Sequence, residues 1–251
     1  MKKKLWKFTA VILWILIWYL VSLLVNRELY VPSPYSTLKA LIQLMSDKVF
    51  YTSVIFTMIR IIVGFLVAAV AAFILGIIAG LNEKAEILIS PFITVVRSTP
   101  VMSFIILTII WFSYNLAPFV VNIIMCFPPI YDSVVKGIRS TDRKLLEMSK
   151  IYKVSFFNTF KGIYFGSVKP FLYSGMNTSL GLSFRVAVAA EVFANPKYGI
   201  GTKLLQAKVN LETTDVYAWT FVILLLSFLS EQLFKLIIKE SRKHAKHKEF
   251  N

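Results

Sequence analysis

Apolar residues run along this chain in long blocks, and the polar residues between them gather in a few places. Residues 8–25 make the first block, behind Lys2, Lys3 and Lys4. Its length, and the absence of a small-residue cleavage pattern around Leu24-Val25-Asn26-Arg27, predict an uncleaved membrane span. Pro32 and Pro34 break the chain over 26–36. A short amphipathic helix is expected next, with Ser36 as its cap and Leu38, Leu41, Ile42 and Met45 on one face, lying at the membrane interface. The second block, 54–81, carries Gly64, Ala68, Ala72, Gly76 and Gly80 at intervals of four. Residues four apart share a helix face, and small ones let a neighbouring backbone come close, so this row is expected to pack against another helix. Arg60, near the outer end of that span, is expected to snorkel to the interface.

A turn at Asn82-Glu83-Lys84 precedes an apolar stretch over 87–112 that Pro91, Arg97 and Pro100 interrupt, which predicts an interfacial piece to Thr99 and a span beyond it. A fourth span is expected over 118–132, extended or broken at Pro128-Pro129. A fifth covers 171–191 and contains Asn177, Arg185 and Glu191. Residues 195–215 read as a loop with a short amphipathic stretch after Gly199-Ile200-Gly201, and a last span runs over 216–238 into a basic tail.

The exception to this apolar pattern is 136–170, which holds eight Lys or Arg against Asp142 and Glu147. Thr141-Asp142 reads as a helix start, with an oxygen at the cap and an acid in the first turn. Leu145, Leu146, Ser149 and Tyr152 follow at helical spacing, and Ser155 caps a second short helix lined by Phe156, Phe157, Phe160, Ile163 and Tyr164. Two such helices are too polar to enter lipid and too aromatic for a linker, so the segment reads as a docking surface for a protein; a basic loop lying on anionic headgroups is the simpler alternative.

Composition sharpens the class. Hydrophobic residues make up 57% and charged residues 16%, well outside the soluble range, so the chain is read as an all-α polytopic membrane protein. Residues 1–251 are taken as one transmembrane domain of about six helices. The net charge of +15 does not point to nucleic acid, because the basic residues border apolar spans. Nineteen of the 28 Lys and Arg fall on the side of the termini and the 136–170 loop and six on the other, with Arg60, Arg97 and Arg185 inside spans. The positive-inside rule therefore places both termini and the central loop in the cytoplasm, in an inner or plasma membrane whose lipid is the surrounding partner. No phosphate-binding Gly-x-x-x-x-Gly-Lys-Ser/Thr loop occurs, so no ATP site is expected. His244 and His247 have no neighbouring cysteine, Cys126 stands alone, and the span serines lack a histidine partner; no catalytic, metal or cofactor site is expected.

Glu147-Met148-Ser149, with Ile163 sixteen positions after Glu147, resembles the Glu-Ala-Ala loop in permease subunits of type I ATP-binding-cassette importers. The run from Arg139 through Thr141, Asp142 and Leu146 to Met148 is most similar to the branch that carries sulfonates, nitrate, taurine and some vitamin precursors. Lys153 stands where that family has glycine and Phe165-Gly166 where it has Leu-Pro, while Pro170 matches a family proline. Arg60-Ile61-Ile62-Val63-Gly64-Phe65, Arg97-Ser98-Thr99-Pro100, Trp111-Phe112 and the segment from Gly181 to Glu191 extend the likeness over about 35–240. The resemblance implies a permease, paired as a homodimer, that serves separate ATPase subunits and an extracytoplasmic substrate-binding protein, with ATP used by the partner alone. It also implies ATPase coupling through Asp142, Glu147, Ser149, Tyr152 and Lys153.

Ionisable groups inside spans mark pathways or pairs. Arg185, Glu191 and Asn177 are therefore the candidate pathway residues, with Arg185 suited to an oxyanion because its planar donors meet two oxygens at once. Glu191 lies six positions on, about a turn and a half outward, where it either steadies Arg185 or sits at the surface. The alternative class is a self-sufficient secondary transporter or channel, which would need more charge within the spans than this chain carries; a membrane enzyme lacks its nucleophile and base.

Overall fold

In a computed structural model, which describes residues 2–248, the apolar blocks become α-helices and no strand forms among the described residues. In chain order they are α1 (Lys2–Val25), α2 (Pro34–Met45), α3 (Lys48–Leu81), α4 (Glu83–Ser98), α5 (Val101–Trp111), α6 (Ala117–Arg139), α7 (Arg143–Ile151), α8 (Phe156–Thr159), a π-helical turn (Phe160–Tyr164), α9 (Phe165–Ala194), α10 (Ile200–Val209) and α11 (Thr213–Lys248). The side chains of Lys2, Lys3, Lys4, His244 and His247 lie outside the described ones.

α6 is the centre, packed between α3 on one side and α9 on the other. The small-residue row on α3 makes the first contact possible. A Cβ placed on Gly64 would lie 2.7 Å from Asn122 Nδ2, one on Gly76 2.8 Å from Val134 Cβ, and one on Gly80 2.7 Å from Ile138 Cβ. Ala68 and Ala72 between them are fully buried. The second contact has its own glycines, since a Cβ on Gly137 would come within 2.8 Å of Val168 Cα and one on Gly175 within 2.5 Å of Ser133 Oγ. Close approach brings polar atoms within reach of each other, and Asn122 uses it. Its Nδ2 donates to the carbonyls of Arg60 (3.3 Å) and Ile61 (3.1 Å), while its Oδ1 accepts from Ser183 Oγ at 2.7 Å. Ser179 Oγ donates to the Cys126 carbonyl, so α3, α6 and α9 share one satisfied polar node within an apolar core.

Several boundaries differ from those expected. Ser33, not Ser36, caps α2, because Pro34 fits the first helical position, where no N–H is needed. Pro128 and Pro129 do not break α6, which stays helical to Arg139 and takes in the start of the basic interval. Asp142, not Thr141, caps α7: its carboxylate accepts from the Lys144 amide, while the Thr141 hydroxyl turns back to the Gly137 carbonyl. Ser155 caps α8 as expected, yet that helix is not separate, since the π turn feeds it straight into α9.

Three described helices are long and apolar enough to cross a membrane: α3, α6, and α11 over Thr213–Glu240. α4 and α5 qualify only together, and they are bent by 104° where Pro100 forces Thr99 into extended backbone. α5 has 11 residues, about 16 Å, so it cannot span by itself. α4 is held along α6 by the ion pairs Glu86–Arg139 and Arg97–Asp132. α1 contributes the shorter apolar stretch Thr9–Val25, docked through Trp18 Nε1 donating to the Pro32 carbonyl and Trp18 stacking on Tyr217.

Candidate functional site

The two ends of the bundle carry different chemistry. At one end α7 stands out from the core on the links 140–142 and 152–155. On its inner side Ser149 is buried, and its hydroxyl donates to the Leu146 carbonyl of the same helix at 2.8 Å. The outward side is not covered. Ile151, Tyr152, Phe156 and Phe157 are 66–76% exposed, and Leu145, Met148 and Val154 are exposed beside them. Arg143, Lys144, Glu147, Lys150 and Lys153 rim this patch. Apolar side chains bracketed by charge, on a helix outside the apolar spans, form a surface suited to a protein partner. Asp142 serves the cap, Glu147 and Tyr152 face outward, and Lys153 makes the turn. Lys153 adopts φ 52°, a left-handed conformation that favours glycine, which accounts physically for the glycine in the resembling family.

The other end is organised by Glu191, whose side chain is fully enclosed. Arg60 Nη1 donates to its Oε1 at 2.7 Å and to the Tyr198 carbonyl at 2.7 Å. Thr57 Oγ1 lies 2.9 and 2.8 Å from the two carboxylate oxygens and accepts from the Ile200 amide. The Gly201 amide donates to Oε2 at 3.0 Å. A Cβ on Gly201 would lie 2.5 Å from both Glu191 Cβ and the Val188 carbonyl, which explains the Gly199-Ile200-Gly201 run. This corrects two expectations. Arg60 does not snorkel, and Glu191 neither steadies Arg185 nor lies at the surface: they pair with each other, pinning α10 to α3 and α9. Both charges were visible in the sequence; that they meet 131 positions apart was not.

Arg185 lies on a third surface. It is exposed, its Nε donates to the Gly181 carbonyl at 3.4 Å, and no acid pairs with it among the described residues. Asn177, Gly181 and Arg185 are four apart and share one face of α9. Asn177 Oδ1 is buried with no hydrogen-bond partner among the described residues. Across from them, on α11, is Glu231, which sequence reasoning did not single out: a Cβ on Gly181 would lie 2.9 Å from its Oε1. Its Oε2 faces Lys235 Nζ at 3.7 Å. An acid inside the longest apolar stretch near the C-terminus was the available signal. No group of three or more His, Cys, Asp or Glu able to hold a metal occurs among the described residues.

Residues 72–243 match the family described as binding-protein-dependent transport system inner membrane component. The chain is 23% identical to the proposed aliphatic sulfonates transport permease protein of Bacillus subtilis, over 82% of this chain and 75% of that one. It is 22% identical to the formylaminopyrimidine transport permease protein of Halalkalibacterium halodurans, over 85% of each. Identity to the taurine transport system permease protein of Escherichia coli is 23%, over 85% of this chain and 80% of that one. A helical bundle of apolar spans with an outstanding polar helix, matched over most of its length by such proteins, is a multi-pass membrane transport permease rather than an enzyme, and the chain belongs to the binding-protein-dependent transport system inner membrane component family.

Proposed function

We propose that this permease is the membrane subunit of an ATP-driven importer for a small anionic solute such as a sulfonate. Two copies form the pathway, an ATP-binding-cassette ATPase docks on α7, and an extracytoplasmic binding protein delivers solute at the α10 end. α1 and α9 complete six spans in one domain, with both termini and α7 cytoplasmic. The observation that carries the reading is the uncovered patch around Met148, Ile151, Tyr152 and Phe156, at the end where the basic residues concentrate. Lipid alone would accept basic residues but leaves no use for Glu147 on the same surface. Substrate class is supported by the exposed Arg185 and by the sulfonate and taurine named among the relatives.

Co-purification with a co-expressed candidate ATPase tests docking. Wild type is expected to retain the ATPase, and Met148→Asp to lose it, while both insert equally. Glu147→Ala is expected to weaken retention, since a partner charge left buried and unpaired costs roughly 2–5 kcal/mol. Retention by both variants would refute docking on α7.

Orientation is tested by single cysteines in a Cys126→Ala background. Lys150 and Lys208 are exposed on α7 and α10, whereas Ser149 and Thr202 are buried and would label poorly for that reason alone. Lys208→Cys should react with an impermeant maleimide in intact cells and Lys150→Cys only after lysis; the reverse pattern would invert the topology.

A further inference from the structure

Resting on the importer reading, we infer that one face of α4, carrying Ser90, Thr94, Arg97 and Ser98, is a water-exposed wall of the solute pathway, and that Asp132 masks the Arg97 charge on that wall. Two independent features at one place carry the inference. The first is charge. Arg97 pairs with Asp132 on α6, yet their side chains remain 50% and 25% exposed. α6 is long and apolar enough to cross a membrane, and Asp132 lies seven residues before its Arg139 end, roughly 10 Å along the axis. An arginine can reach back to the interface on its long stem, but the short side chain of an aspartate leaves its charge at the depth of its own backbone. A partly exposed ion pair at that depth is costly against hydrocarbon and is kept where water or a partner meets it.

The second feature is the backbone two residues further on. Thr99 is extended, Pro100 has no N–H, and α5 starts with no side-chain cap. Interrupted backbone is tolerated at membrane depth only where it is buried in protein or lines a water-filled cavity. Burial does not serve here, since Arg97, Ser98 and Pro100 are all exposed. The pattern along α4 agrees. At about 100° per residue, Ser90, Thr94, Arg97 and Ser98 fall within an arc of about 100°, whereas Ile89, Ile93 and Val96 turn into the core. Leu88 and Val95 are exposed on the neighbouring arc, which is the lipid side. Hydroxyls alone would not decide between water and lipid, because Thr94 and Ser98 donate to the carbonyls four residues back, at 2.9 and 2.8 Å. The ion pair and the broken backbone beside them do.

The test places the full-length permease with its ATPase in nanodiscs, where both membrane faces are open to reagent, and uses single cysteines in a Cys126→Ala background. Charged methanethiosulfonates attack through the thiolate, which forms in water and not in hydrocarbon, so Thr94→Cys and Ser98→Cys should react about ten-fold faster or better than Leu88→Cys and Val95→Cys. Adding Asp132→Asn to Ser98→Cys unmasks Arg97, and should raise the rate with the anionic sulfonatoethyl reagent over that with the cationic trimethylammonioethyl reagent by about three-fold or more. Arg97→Gln leaves Asp132 alone and should shift the preference the other way. A merely structural ion pair would move neither ratio. Reaction at Thr94 and Ser98 as slow as at Leu88 and Val95 overturns the wall, because that face then meets lipid or a second copy. A reagent preference that neither charge variant moves overturns the masking role. Slow labelling in complexes that retain the ATPase sinks the wall alone, whereas failure to retain the ATPase sinks the importer reading.

Discussion

Glu191→Ala is expected to destabilise the permease by about 3–5 kcal/mol, because it leaves the buried Arg60 guanidinium without its counter-charge, with the Tyr198 carbonyl as its remaining acceptor. The Thr57 hydroxyl and the Gly201 amide lose their acceptor in the same step. Arg60→Ala should cost a comparable amount by stranding Glu191. Replacing both charges together, as Arg60→Met with Glu191→Leu, should recover a large part of the loss, since a buried pair is weak net stabilisation although each half is costly alone. Thermal unfolding in detergent measures all three. A single variant as stable as wild type would show that the pair is open to water. Limited proteolysis near α10 adds a local reading, because Glu191 also fixes Ile200 and Gly201 at the start of that helix, and the single variants should be cut there sooner.

Gly76→Leu is expected to lower stability by at least about 1–3 kcal/mol and to reduce the yield of folded protein. The new side chain would begin 2.8 Å from Val134 Cβ and 3.2 Å from the Tyr131 carbonyl, so α3 and α6 must part. Relief is not available locally, because the same interface is closed at Gly64 and Gly80 on either side. Ile78→Leu, on the exposed face of α3 two residues away, serves as the control and should change little. Equal melting temperatures for the two variants would mean that α3 and α6 are not in contact at this glycine.

The sequence by itself determined the segments and the class. Twenty-residue apolar runs can satisfy their backbone in lipid only as helices, so the helical class and the basic interval follow from composition and order alone, although three described helices and one bent pair, rather than all six expected segments, are long and apolar enough to cross. The small-residue row on α3 was also legible, because helical periodicity is local: positions four apart share a face whatever surrounds them. So was α7, whose polar and apolar positions alternate at helical spacing, although its cap fell on Asp142 rather than on Thr141. What the tertiary structure decided are the pairings across the chain. Arg60 and Glu191 each read as a lone charge in a span, and only the crossing of α3 with α9 and α10 makes them one buried pair. Glu231 read as nothing until α11 brought it against Gly181. Asn122, which the sequence reading did not single out, is the node joining three helices. The bend at Pro100 and the continuity through Pro128 and Pro129 show the same division. A proline states locally that one amide is missing, but whether the helix turns or continues depends on what packs against it, and α6, packed between α3 and α9, continues.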